Sequence, residues 1–299
     1  MPRIARMIVQ GEVVVYHVIS RTVLDGYVIG DAEKEYLLNL IKRISSVYFT
    51  EVLGFCLMGD HFHLVVRMHR GEDYSDEEIK RRLNLYYGDK ERALHEGQIS
   101  SLREKWANLS EYIKEIKQGF SRFYNKRHNR RGFFWSERFK SVIVDNGETL
   151  INCLAYVDLN PVRAGICETP EAYRWSSLGY HIHTNNKDDF LSLDFGLWEL
   201  GIMDGPLNAY LGFVYEKGGI TSHEKDMAEG LETNSLDRFM YKSRYFSDSG
   251  IIGTKAFVSR HYQTFKHHFS SRHQKTPKAI KGLDSIYSLK RLSESGQPD

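Results

Sequence analysis

An α+β fold is what this sequence predicts, on three observations. Apolar runs flank the Gly59-Asp60 dipeptide, the pattern of two strands joined by a tight turn. A third β-branched and aromatic run, EVVVYHVIS at residues 12–20, stands ahead of them. Between and after these runs the apolar residues switch to three-and-four spacing, the period of an amphipathic helix.

Each element follows in order. Residues 12–20 form the first strand. Asp31 can cap a helix whose apolar positions, Leu37, Leu40, Ile41, Ile44 and Val47, share one face. The hairpin strands lie near 51–58 and 61–68. Residues 71–98 are dense in both charge signs, with Gly88 and Gly97 as breakers, and read as a helical surface insertion. Leu102, Trp106, Leu109, Ile113, Ile116, Phe120 and Phe123 then keep one unbroken spacing, which predicts a single long helix. Residues 138–145 (RFKSVIVD) form a fourth strand. A helix over 149–160 ends at Pro161, because the residue before proline disfavours helical geometry. The order β-α-β-β-α-β-α predicts a ferredoxin-like, four-stranded antiparallel sheet with helices on one face and an extra helix behind it. The hairpin strands would lie in mid-sheet.

At 299 residues the chain can bury a full core and carry a second module. From 185 to 237 acidic residues dominate; beyond Gly250 the sign reverses. This shift predicts a boundary near 185, with residues 1–184 as one domain. Residues 185–299 form a mostly helical region without an assigned role, ending in a disordered tail near 292–299. Phe257, Val258, His261, Phe265 and Phe269 suggest an amphipathic helix in the basic segment. Both a second nucleic-acid contact and docking onto the acidic stretch stay open for it. Three cysteines in no metal-type spacing argue against a disulfide framework and for a reducing, cytoplasmic setting. No apolar run approaches ~18 residues, so no membrane span is expected.

Three clusters carry chemistry. In the second hairpin strand His61 and His63 share a face, because strand side chains alternate. Two such imidazoles can chelate a divalent ion; two buried histidines satisfied by polar neighbours are the plainer reading. On the helix over 149–160, Tyr156 and Asn160 stack four apart, opposite Leu150 and Leu154. The third cluster is basic: Lys114, Lys117, Arg122, Lys126, Arg127, Arg130, Arg131, Arg138 and Lys140. Phe120, Phe123, Tyr124, Phe133, Phe134, Trp135 and Phe139 interleave with it. Cations suit phosphates and ring faces suit unpaired bases, so the mixture points to single-stranded or distorted nucleic acid. A solvated helix end beside an aromatic core is the bland alternative.

Over residues 5–180 the chain resembles the HUH tyrosine transposases, in particular the REP-associated branch of the single-strand transposases. The likeness rests on Tyr16-His17-Val18-Ile19-Ser20-Arg21, His61-Phe62-His63 and Gly132-Phe133-Phe134-Trp135. It rests further on Tyr156-Val157-Asp158-Leu159-Asn160-Pro161-Val162 and Tyr173-Arg174-Trp175-Ser176-Ser177. The resemblance implies that Tyr156 is the nucleophile, forming a 5′-phosphotyrosine, and that its helix is the catalytic one. It implies His61, His63 and Asn160 as ligands of Mg²⁺ or Mn²⁺, and single-stranded or hairpin DNA as partner. It allows a monomer or a homodimer and implies a cytoplasmic protein that joins the nucleoid when bound to DNA. The family usually has Pro-Asn before the first histidine; here Gly59-Asp60 stands there, with Asp60 expected to point away from the histidine face. Three other readings stay open. Arg131-Gly132-Phe133 opens like the RNP1 pattern of a ferredoxin-like RNA binder, though Phe134-Trp135-Ser136 does not continue it. A metal-dependent hydrolase would pair the histidines with Asp60 or Asp158, and a domesticated descendant would bind DNA without cutting it.

Overall fold

Near-continuous apolar, β-branched and aromatic runs build three long strands, β1 (Val14–Arg21), β2 (Thr50–Leu57) and β3 (His61–Met68), within two residues of the expected bounds. A computed structural model describes residues 6–88, 96–136, 138–218, 244–269, 274–280 and 282–290; the tail near 292–299 lies outside them. β3 pairs antiparallel with both β2 and β1, and β1 pairs antiparallel with β4 (Lys140–Val144).

The sheet does not stop at β4. β5 (Ile251–Gly253) joins β4 in parallel, and β7 (Leu283–Ser288) and β6 (Lys278–Ile280) continue beyond it. The result is a mixed seven-stranded sheet in the order β2-β3-β1-β4-β5-β7-β6, where four antiparallel strands were expected. The C-terminal region, expected mostly helical, supplies three of the strands. Ile251 and Ile252 make the edge of β4 part of the interior, which a pattern confined to the first 184 residues does not foretell. Likewise β2 is an edge strand and not a central one.

Among the described residues the helices are α1 (Asp31–Ser45), α2 (Asp76–Tyr87), α3 (Glu96–Trp106), α4 (Leu109–Arg127), α5 (Glu148–Asp158) and α6 (Asn160–Arg163). They continue with α7 (Ser177–Thr184), α8 (Pro206–Gly218), α9 (Tyr245–Asp248) and α10 (Lys255–Phe265). The expected single helix over 102–123 is two. Asn108 breaks it, its side-chain oxygen accepting from the Ser110 amide at 2.8 Å as an N-cap. Pro161 does not end the helical path either. Leu159 is right-handed helical and Pro161 sits in the first turn of α6, where its missing amide hydrogen is harmless.

Helices cover both faces. Phe62 packs on Trp135, and Trp135 on Phe120 of α4, which places α4 and its neighbour α1 over the face opposite the histidines. α5 covers the histidine face so closely that a Cβ on Gly54 of β2 would lie 2.6 Å from Leu154. Residues 173–177 lie along the free edge of β2. Tyr173 donates to the Leu57 carbonyl at 2.7 Å, the Leu57 amide donates to Trp175 O at 2.8 Å, and Cys56 bridges Ser176. That edge is thereby closed to further strands. Ser177 donates to buried Asp158 at 2.8 Å, and Tyr210 of α8 donates to the same carboxylate at 2.6 Å, so Asp158 ties α5, α7 and α8 together.

Candidate active site

Three histidines share one face of the sheet. His61 and His63 alternate along β3 with ring centroids 5.0 Å apart. His17 of β1 pairs with Val65 in the ladder and so rises on the same side. Its Nε2 lies 2.9 Å from Nδ1 of His63, and its Nδ1 lies 2.7 Å from the Phe246 carbonyl. His17 is fully buried; burial pushes its imidazole down to about 4 and holds His63 well below the ordinary range. Both rings are therefore neutral near pH 7, the form that ligates metals.

His61 is the more open of the pair. Asp60 does not point away from the histidine face as expected: its carboxylate accepts from His61 Nδ1 at 2.5 Å. That bond, with Arg21 at 3.5 Å, holds Asp60 below the usual carboxylate range. It engages Nδ1 and not Nε2 of His61. Backing a histidine with a carboxylate is a common way to fix a ligand's tautomer.

α5 delivers Tyr156 to these rings. Its ring stands edge-on to His63 at 5.7 Å and to His17 at 5.8 Å. The phenol is 6% exposed, its hydroxyl lies 2.6 Å from Ser247 Oγ of α9, and its ring stacks on Phe246. Burial raises its pKa, with the Ser247 bond working the other way. Asn160 is buried one turn on; its amide nitrogen donates to the Tyr156 carbonyl at 2.8 Å. Among the described residues no hydrogen bond joins its side chain to either imidazole.

As a donor set the residues fit a divalent cation in part. Two imidazoles on one strand face suit a borderline or hard metal when neutral. No cluster of three or more histidine, cysteine or acidic side chains with metal-holding geometry occurs among the described residues, so a third protein donor would have to be an amide oxygen such as that of Asn160. Asp158, the carboxylate considered for a hydrolase, is committed to Ser177, Leu178 and Tyr210.

A protein of Haemophilus influenzae named as a REP-associated tyrosine transposase is 23% identical over 176 residues, covering 56% of this chain and 84% of its own. The chain is thus similar in sequence to a protein named as a REP-associated tyrosine transposase. A solved REP-associated tyrosine transposase bound to a REP hairpin superposes with a TM-score of 0.43 at 14% identity, covering 65% of this chain and 90% of its own. No family model matches.

The basic cluster divides. Lys114, Lys117, Arg122 and Arg138, with Arg6, line a groove of about 600 Å³ that also holds Phe133, Trp135 and Phe139. Phe133 is 88% exposed, whereas Phe120, Tyr124, Phe134, Trp135 and Phe139 are core. Lys117 lies 5.6 Å over the Trp135 ring, where burial and Arg6 push it down to about 8. The other members are placed differently. Arg127 pairs with Glu33 at 3.0 Å, Arg130 donates to Asn125 at 3.0 Å, and Lys140 lies 3.7 Å from Asp248. Lys126 and Arg131 are exposed outside the groove lining.

Sequence reasoning gave no role to His17, Phe246 and Ser247. His17 did carry a signal, a polar residue inside a β-branched strand. Ser247 and Phe246 carried none, because they reach the site only through the fold.

Proposed function

We propose that this protein cuts and rejoins single-stranded DNA by transesterification through Tyr156. The observation that carries the reading is the Tyr156 ring edge-on to His63 at 5.7 Å on the face His61 shares. The sequence relative named a tyrosine transposase supports the same chemistry. The phenol oxygen attacks phosphorus, the bond to the 3′ oxygen breaks, and that oxygen leaves as a 3′-hydroxyl after taking up a proton. The new tyrosine ester keeps the bond energy, so rejoining needs no nucleotide cofactor. His61 and His63, with Asn160 as oxygen donor, would hold Mg²⁺ or Mn²⁺; such an ion polarises the phosphate oxygens. β1 to β4 form the ferredoxin-like half of the sheet that presents the site, and residues 1–184 carry the chemistry.

The groove formed by Arg6, Lys114, Arg122 and Arg138 faces the DNA backbone in this reading, with Phe133 free to stack on an unpaired base. A hairpin offers both features, a charged duplex stem and unpaired bases beside it, and hairpin DNA is the ligand we expect here.

The test is covalent capture of labelled single-stranded hairpin DNA in the presence of Mg²⁺ or Mn²⁺. Wild type forms an adduct and Tyr156→Phe forms none while still binding. An adduct that survives in Tyr156→Phe removes the nucleophile from the reading. One observation favours a second reading, a DNA binder without chemistry: the Tyr156 hydroxyl is closed off by Ser247. That reading predicts binding and no adduct from the wild type.

A further inference from the structure

His17 lies outside the His61–Tyr156 constellation, yet it is the most completely enclosed polar side chain beside it. Its two ring nitrogens have one partner each, and the chemistry of those partners fixes where the protons sit. The Phe246 carbonyl, 2.7 Å from Nδ1, has no hydrogen to give, so Nδ1 of His17 is the protonated nitrogen and donates. A neutral imidazole carries one N–H, and the enclosure of His17 disfavours a second. Nε2 of His17 is therefore a bare acceptor. His63 Nδ1, 2.9 Å away with the ring planes 15° apart, must then be the donor. That assignment leaves His63 Nε2 with a free lone pair. Proton positions run in one direction from α9 to β1 to β3.

We propose that His17 is a positioning residue that locks His63 in its Nδ1–H tautomer, so that Nε2 is the ligand atom, and that the Phe246 carbonyl sets the direction of this relay. The ligand half of the proposal rests on the reading of His63 as a metal donor; the tautomer half does not. Asp60 does the same for His61 from the opposite side, so both histidines of β3 would present Nε2. A carboxylate backs the exposed histidine, and an uncharged imidazole backs the buried one, where a carboxylate would lack water. Partners of this kind typically change metal affinity by about 10- to 100-fold when removed.

The experiment reads the tautomer first, in the full-length, metal-free wild type labelled with ¹⁵N-histidine. Two-bond ¹H–¹⁵N correlations should show Nδ1 protonated and Nε2 bare in both His17 and His63. A His63 protonated at Nε2 overturns the relay. Mn²⁺ titration of two variants follows, with folding checked by circular dichroism. His17→Phe keeps the bulk and loses both bonds; His63 should leave the Nδ1–H form and Mn²⁺ affinity should fall roughly 10- to 100-fold. His17→Gln offers a donor and an acceptor and should retain the tautomer and most of the affinity. Equal loss in both variants with an unchanged His63 tautomer overturns the positioning role. A wild type with the expected tautomers that binds no Mn²⁺ overturns the metal reading and the ligand half with it.

Discussion

Asp60 sits in a two-residue turn, where a short carboxylate can reach the first side chain of the following strand. It does so at 2.5 Å from His61 Nδ1, with Arg21 steadying its other oxygen at 3.5 Å. The carboxylate thus orients an imidazole that is otherwise partly open to water. Asp60→Ala removes that orientation without touching a proposed ligand. We expect Mn²⁺ affinity to fall about tenfold with little loss of fold stability. Isothermal titration and a thermal melt measure the two effects separately; unchanged affinity means that Asp60 only pairs with Arg21.

At the scale of elements, α9 is a single turn that closes over α5. Its Phe246 ring stacks on Tyr156, its Phe246 carbonyl holds His17, and its Ser247 holds the phenol. The proposed in-line attack on phosphorus needs the phenol oxygen free, so in that reading this turn would have to give way when DNA binds. Ser247→Ala removes one restraint and should speed covalent capture several-fold at equal DNA affinity, as read by adduct formation over time. A slower rate would make Ser247 an aid to the attack and not a restraint. The groove beside α4 makes a separate prediction. Charge reversal at Arg122 and Arg138 should weaken DNA binding and flatten its salt dependence, by about one unit of slope for each phosphate no longer neutralised. Reversal at Arg127, already paired with Glu33, should change the slope less. Binding measured across salt concentrations separates the two, and equal slopes for both variants would move the DNA elsewhere.

For the whole molecule the buried titratable groups decide the response to acid. His17 and His181 are held near 4 by burial, and His63 is also held well below the ordinary range by burial and its neighbours. Unfolded histidine takes up its proton near ~6.5, so between about 6.5 and 4 the unfolded chain binds more protons. The stability these neutral rings allow is fully present above ~6.5 and is lost as pH falls toward 4. Asp158 runs the other way. Burial raises it to about 6, so it favours the fold below ~4 and ceases to do so as pH rises through 6. Three histidines outweigh one carboxylate, so urea midpoints should fall as pH drops from 7 to 4.5. Asp158→Asn should steepen that fall, because the opposing group is gone. A midpoint flat over this range would mean that the histidines are not held neutral.

Much of this was legible in the chain. The hairpin and the same-face placement of His61 and His63 follow from strand alternation, a local rule that needs no tertiary contact. The α1 region and the burial of the aromatic stripe near 120 follow from helical spacing. The break at Asn108 was readable in principle as an N-cap, but the apolar period runs through it and masks it. Other features depend on which distant segments meet. β5, β6 and β7 are short strands whose burial comes from adding to β4, so their own pattern says little. Asp60, Asn160 and the basic residues each carry a charge or an amide whose partner decides its use. Arg127 was drawn by Glu33, Asp158 by Tyr210, and His17 by Phe246, across separations that no local period records. The sequence alone determined which residue types are present and which face of a strand or helix they share. Only the tertiary structure decided which of them meet, because hydrogen bonds and ion pairs form between atoms a few ångströms apart, however far apart their residues lie along the chain.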